Sequence, residues 1–291
     1  MTDTAAQRVS FYFSAHEDDW QLFMTPPAFL DVRDGNTKSV FVHVTAGDAG
    51  LGTGNGGRRH PYYLARENGA ESAIRFIADS DHQPPAETTA SPMTFNGHPI
   101  YRVCYRNTVA YFLRLPDGNP EGTGYADTGN QSLQRLANGD IGTLATIDGT
   151  TSYRGWSDLT ATLRAMIDFE RGCAPSVQLH VPELDPAVNP DDHADHRVTA
   201  KAALDAADCL TCARRLHYVG YAGAKLPENL SPQDRDMKCA VFAVTLAGVL
   251  TFDHPISWQY YDQNFVGRTY YRVEEGSGSC GGDDGAPGRP R

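Results

Sequence analysis

The chain predicts a three-layer α/β fold around a mainly parallel sheet, and two observations predict it. Val9-Ser10-Phe11-Tyr12-Phe13-Ser14 is a nearly unbroken run of strand formers, which suits a strand covered on both faces better than one with a wet side. Beyond it, strand-like and helix-like segments alternate through most of the sequence, the pattern of successive β-α units.

Taken in order, Trp20 to Met24 begins a helix that Pro26-Pro27 must interrupt or re-aim. Ser39 to Thr45 reads as a second buried strand. It empties into Gly47 to Gly57, a stretch too glycine-rich for regular structure and expected to form a mobile loop at the mouth of the sheet. The phosphate-loop spacing and its closing lysine are missing there, which argues against a nucleotide site. Tyr62 to Ala78 has helical periodicity, with Leu64, Ala70, Ala73, Ile74 and Ile77 apolar. A loop with three prolines is expected over His82 to Gly97. Ile100 to Tyr105 and Val109 to Leu115 are strands, either a hairpin or two successive members of the sheet.

Pro116 to Gly129 reads as another loop, and Ser157 to Glu170 as an amphipathic helix. Val177 to Val181 is a strand, Ala200 to Leu216 a helix and Leu216 to Tyr221 a strand. Ser231-Pro232 opens a last helix with a cap and a first-turn proline, running to about Leu250. Trp258, Tyr260 and Tyr261 read as packing in an aromatic strand rather than as walls of a cleft. A single domain over residues 1–275 is expected, followed by a Gly/Pro-rich tail over 276–291 without fixed structure.

The 291 residues carry 36 acidic and 25 basic side chains, a net charge of −11. That balance argues against a nucleic-acid backbone or an anionic membrane as partner. Met1 to Arg8 is polar and no apolar run approaches a membrane span, so a cytoplasmic protein is expected. Six scattered cysteines, Cys104, Cys173, Cys209, Cys212, Cys239 and Cys280, are expected to be reduced thiols. Cys209 and Cys212 have no second pair to complete a zinc motif and read as small apolar residues of a helix.

Chemistry concentrates in two stretches. His16-Glu17-Asp18-Asp19 falls where the first strand should end, and in open α/β sheets ligands bind at the carboxyl ends of strands. His16, Asp18 and Asp19 cannot all be buried there without a cation or other partners. Far downstream, Asp191-Asp192-His193-Ala194-Asp195-His196 opens a helical segment, with Asp191 or Asp192 as a plausible cap. His193 and His196 are three apart, hence on one helical face. Together the two stretches can supply the three protein ligands of a catalytic metal site and leave a place for water. His43, His60, His98, His180, His217 and His254 carry no paired signal and read as structural.

Ala15-His16-Glu17-Asp18-Asp19, Val42 to Gly50, Arg66-Glu67, Leu115-Pro116-Asp117-Gly118 and His193-Ala194-Asp195-His196, in this order, resemble the PIG-L/LmbE family of zinc-dependent N-deacetylases. The resemblance runs from about Val9 to about Tyr221 and implies a Rossmann-like α/β/α fold. It implies His16, Asp19 and His196 as ligands of Zn2+ or another divalent metal. Asp18 would then be the general base. His193 would stabilise the oxyanion and protonate the leaving amine, and Asp195 would set the state of a neighbouring histidine. Arg66 and Asp117 match positions that hold substrate hydroxyls. Glu17 stands where the family usually has proline, and Asp191 where some members have a tyrosine that assists the oxyanion.

The activity so implied is hydrolytic removal of an acetyl or similar acyl group from an amino sugar or sugar-bearing small molecule. Two other readings compete: a metal-dependent hydratase of an unsaturated small acid, and a binding protein that no longer turns over. The oligomeric state is left open.

Overall fold

The computed structural model describes residues 6–80 and 84–280. The first half of the chain forms β1 (Arg8–Ser14), α1 (Asp19–Phe23), α2 (Pro27–Arg33), β2 (Thr37–Thr45), α3 (Tyr62–Ala78), β3 (Thr89–Phe95), β4 (His98–Tyr105) and β5 (Thr108–Leu115). Next come α4 (Leu133–Asn138), a two-stranded ribbon of β6 (Leu144–Ala145) and β7 (Ser152–Tyr153), and α5 (Gly155–Arg171). The chain ends with β8 (Ser176–Pro182), α6 (Ala194–Ala206), β9 (Arg214–Tyr218), α7 (Pro232–Thr251), α8 (Trp258–Tyr261) and β10 (Tyr271–Glu274).

The central sheet has the order β10-β9-β8-β1-β2-β5-β4-β3. Its inner part, from β9 through β8, β1 and β2 to β5, is parallel, while β10, β4 and β3 pair antiparallel at the two ends. The protein is therefore α/β with a large, mostly parallel sheet flanked by helices. β1 is buried from Val9 onward. Successive strand side chains point to opposite faces, and they sort accordingly. Phe11 and Phe13 join a core with α5 and α6 residues such as Leu163, Met166 and Ala203. Tyr12 and Phe41 join another with Ala70 and Ile74 of α3 and Phe242 of α7. Each of these fully buried rings contributes on the order of 1.5–3 kcal/mol.

β1 has β2 on one side and β8 on the other, so strand order reverses at β1. The carboxyl ends of strands at such a reversal splay their following loops apart and leave a crevice. On the face of the sheet that carries Tyr12 and Phe41, α3 and α7 cross at Gly69 and Gly248. A Cβ on Gly248 would lie 2.7 Å from the Gly69 Cα, so only glycine lets the two helices come this close. Ser231 caps α7 by accepting from the Asp234 amide, with Pro232 in the first turn, as the sequence predicts.

Several expectations change. The proline loop over His82 to Gly97 contains β3, where Pro92 is tolerated because β3 is an edge strand with one unpaired side. Ile100 to Tyr105 and Val109 to Leu115 resolve as a hairpin, β4 with β5. α6 stops at Ala206 instead of reaching Leu216. Cys209 and Cys212 lie beyond it, and Cys212 is not a free thiol: it forms a disulfide with Cys280, Cα atoms 5.3 Å apart. That bridge, with the Ser277 amide donating to the Thr211 carbonyl, fixes residues 276–280 where an unstructured tail was expected. The rest of that tail, 281–291, lies outside the described residues. Among the described residues no helix is long and apolar enough to cross a membrane.

Candidate metal centre

Except for Asp191, the ionisable residues of the two stretches gather at or behind one recess, delivered by loops that leave the carboxyl ends of parallel strands. His16 to Asp19 follow β1, Asp117 follows β5, and Asp192 to His196 follow β8. Asp19 begins α1, and its Oδ2 accepts the His16 amide at 2.8 Å, which turns the chain back so that both side chains face inward. The recess, about 90 Å³, is lined by His16, Asp18, Asp19, Arg66, Asp117 and His193, together with Leu22, Tyr221 and Tyr261.

Two groups of buried side chains could hold a metal ion here, and they share His16. In one, ligand atoms of His16, Asp19 and His196 lie within 4.8 Å of one another; in the other, those of His16, Asp117, His193 and Asp195 do. Their donor sets distinguish them. Asp19 Oδ1 is 3.3 Å from His196 Nε2 and 3.6 Å from His16 Nδ1, and His196 Nε2 makes no hydrogen bond although it is buried. In the second group Asp117 and one Asp195 oxygen already carry backbone donors, whereas Asp195 Oδ1 and His16 Nε2 are buried without a hydrogen bond. Asp117 accepts from the amides of Asn119 and Ala49, and Asp195 Oδ2 from Gly118 at 2.8 Å. Both groups keep unpartnered donor atoms; the first matches the set of two imidazoles and one carboxylate that a catalytic zinc ion takes, leaving a place for water.

Electrostatics points the same way. Burial alone would lower the His196 pKa, yet Asp19 and Asp192 outweigh it and raise it to about 10. His16 is raised in the same sense, against burial, chiefly by Asp19. Asp19 is held below the usual carboxylate range, because the two imidazoles outweigh its desolvation. The three groups are arranged around a positive charge, which a cation supplies without a proton.

The His196 imidazole is backed by a hydrogen-bonded carboxylate on its far nitrogen, while that of His16 only faces one. His196 Nδ1 donates to Asp192 Oδ1 at 2.9 Å, and His16 Nε2 faces Asp195 Oδ2 at 3.5 Å. Such pairing fixes the tautomer and ring direction of a metal-ligating histidine. The histidine that Asp195 was expected to tune is thus His16. Asp195 sits so tightly that a Cβ on Gly118 would meet its Oδ1 at 2.5 Å. Neither Asp191 nor Asp192 is the helix cap that the sequence suggested, because His193 caps α6, its Nδ1 accepting the Asp195 amide at 3.1 Å. Asp191 points outward to Lys225. Asp192→Ala should therefore weaken metal binding roughly 10- to 100-fold, measured by competition with a chelating dye; unchanged affinity would remove its orienting role.

Arg66, expected to touch substrate, lines the recess and is also paired with two carboxyl groups. From α3 its guanidinium donates to Glu17 Oε2 at 3.0 Å and to Asp18 Oδ1. Glu17 is nearly fully buried, and burial, outweighing Arg66, pushes its pKa up to about 8. Gly47, at φ +49°, lies under this cluster, where a Cβ would come within 2.7 Å of Glu17 Oε2. Glu17 is thus a structural partner of Arg66, which in turn holds the Asp18 carboxylate in the recess. Asp48, buried, orders the neighbouring loop by accepting from the amides of Gly52 and Asp117.

Sequence reasoning gave no site role to Asp192, Glu17 or Tyr221, and it set aside a cleft wall at Trp258, Tyr260 and Tyr261 for an aromatic strand, whereas these residues lie in the short helix α8 and Tyr261 walls the recess. The spacing of Asp192 to His196, one helical turn, was the available signal for the first; the others depend on long-range packing. Tyr221, expected at the end of a strand, lies beyond β9 with its ring 5.1 Å from that of His196. No family model matches this chain. No curated protein matches it either.

Proposed function

We propose that the protein is a metal-dependent hydrolase that removes an acetyl or similar short acyl group from an amine, on a three-layer α/β/α Rossmann-like frame. The observation that carries this reading is the convergence of His16, Asp19 and His196, with Asp18 beside them, at a recess at the sheet's reversal point. Zn2+ suits this donor set, and when bound it would supply the Lewis acidity that polarises the acyl carbonyl and acidifies water.

The chain's own groups do the rest. Asp18, held by Arg66, takes a proton from the water that attacks the amide carbon. His193 contributes a hydrogen bond to the oxyanion. Its Nδ1 accepts the Asp195 amide, so the neutral ring carries its proton on Nε2, turned to the recess near Asp117 Oδ1 (3.9 Å). Burial, reinforced by His16 and His196, holds its pKa at about 3. A neutral imidazole donates a hydrogen bond but gives up its last proton reluctantly, so protonation of the leaving amine passes to Asp18, which returns the proton it took.

Acetate and free amine should appear in equal amounts when zinc-loaded protein is given N-acetylated amino sugars, and neither after chelation. Inertness of the zinc-loaded protein toward a panel of N-acylated amines, or consumption of an unsaturated acid without acyl release, would overturn the reading.

A further inference from the structure

At about 90 Å³ the recess is the smaller of two adjoining spaces and the one that His16, Asp19 and His193 line, so the short acyl group and the attacking water are assigned to it. A second cavity of about 310 Å³ adjoins it and shares Asp18, Arg66 and Tyr261 with it. This cleft lies between the start of α3, the end of α7 and the segment before α8. Away from the charged inner end its walls are the apolar Leu246, Val249, Pro255 and Ile256 with Tyr62, and the hydroxyl residues Thr245 and Ser257. Charge is confined to the inner end, where Glu17, Asp18 and Arg66 already pair with one another, so the cleft offers a ligand mainly apolar contact. Its rim is built: the His254 imidazole bonds the His60 carbonyl at 2.8 Å, and Arg58 Nη1 donates to the Asp253 carbonyl at 2.6 Å.

We propose that the amine half of the substrate bears an apolar aryl or alkyl group and that this group occupies the cleft. The inference rests on the hydrolytic reading of the recess, because the acyl half is assigned to the smaller space. The cleft's volume is about twice that of an engineered apolar cavity of roughly 150 Å³ that takes benzene, enough for an aryl ring with its linker or a medium alkyl chain. Mostly apolar walls with a few polar groups at one end are the usual form of a small-molecule site.

The test measures binding and acetate release in parallel on the zinc-treated full chain, with methyl and octyl glycosides of N-acetylglucosamine and with N-octanoylglucosamine as probes. The octyl glycoside should bind at least about tenfold more tightly than the methyl glycoside, from the apolar area it buries, whereas N-octanoylglucosamine should gain nothing over the acetyl compound. Ile256→Asp, at the partly exposed rim, should erase the octyl advantage; Leu250→Asp, exposed and outside the cleft, should keep it. Equal binding of the two glycosides, a gain on the acyl side instead, or an octyl advantage that survives Ile256→Asp would overturn the proposal. Acetate release without an octyl advantage sinks the cleft assignment alone, and an octyl advantage without any acetate release supports the cleft while sinking the hydrolase.

Discussion

Replacing His196 with alanine should strip the protein of metal. The imidazole is one of only three protein donors in the favoured group, and its loss should exceed the roughly 10- to 100-fold weakening typical of removing a residue that merely supports a ligand. Zinc content after dialysis, about one ion per chain in the wild type, should fall to near zero. The variant should also lose stability, because Asp19 and Asp192 stay buried on either side of the vacated position; breaking a buried pair commonly costs about 3–5 kcal/mol. Circular dichroism therefore accompanies the metal assay, and His98→Ala provides the control. His98 is also buried and bonded, to Thr151 and Asp158, but takes no part in the centre, so that variant should keep its zinc. Full zinc content in a folded His196→Ala protein would mean the metal is held elsewhere.

Asp18→Asn should do the reverse, keeping the metal and losing the chemistry. Asparagine has the same shape, and its side-chain oxygen can still accept from Arg66, so the recess should remain intact. It cannot take a proton from water, and loss of a general base typically lowers the rate by about 10²- to 10⁴-fold. Steady-state kinetics should show the drop in kcat with zinc content unchanged. Loss of metal in this variant would make Asp18 a ligand, and retention of full activity would remove it as the base.

The fold was legible where physics is local. The unalternating run of β1 marked a strand buried on both faces, and the cap and proline at Ser231-Pro232 marked the start of α7. The boundaries that failed depended on neighbours: Pro92 fits a strand only because β3 lies at the sheet edge, and α6 ends early in a segment that a disulfide to Cys280 holds. The site divides in the same way. His16, Asp18 and Asp19 are crowded into four residues, and His193 and His196 into one turn, so their chemistry could be read directly. Glu17 and Arg66 are 49 residues apart in sequence, and nothing local announces that α3 will dock an arginine over the end of β1. Their pairing is a property of the assembled sheet and of the close passage at Gly47. Asp192 is the intermediate case: its distance to His196 was in plain view, but a helix cap explained the residue equally well until the cap proved to be His193.

The most direct measurement is the anomalous scattering of zinc in crystals of the full chain soaked at its absorption edge. A single peak bounded by His16 Nδ1, Asp19 Oδ1 and His196 Nε2 is the expected result. A peak among His16, Asp117, His193 and Asp195 with the first position empty, or no peak in the recess at all, would contradict it.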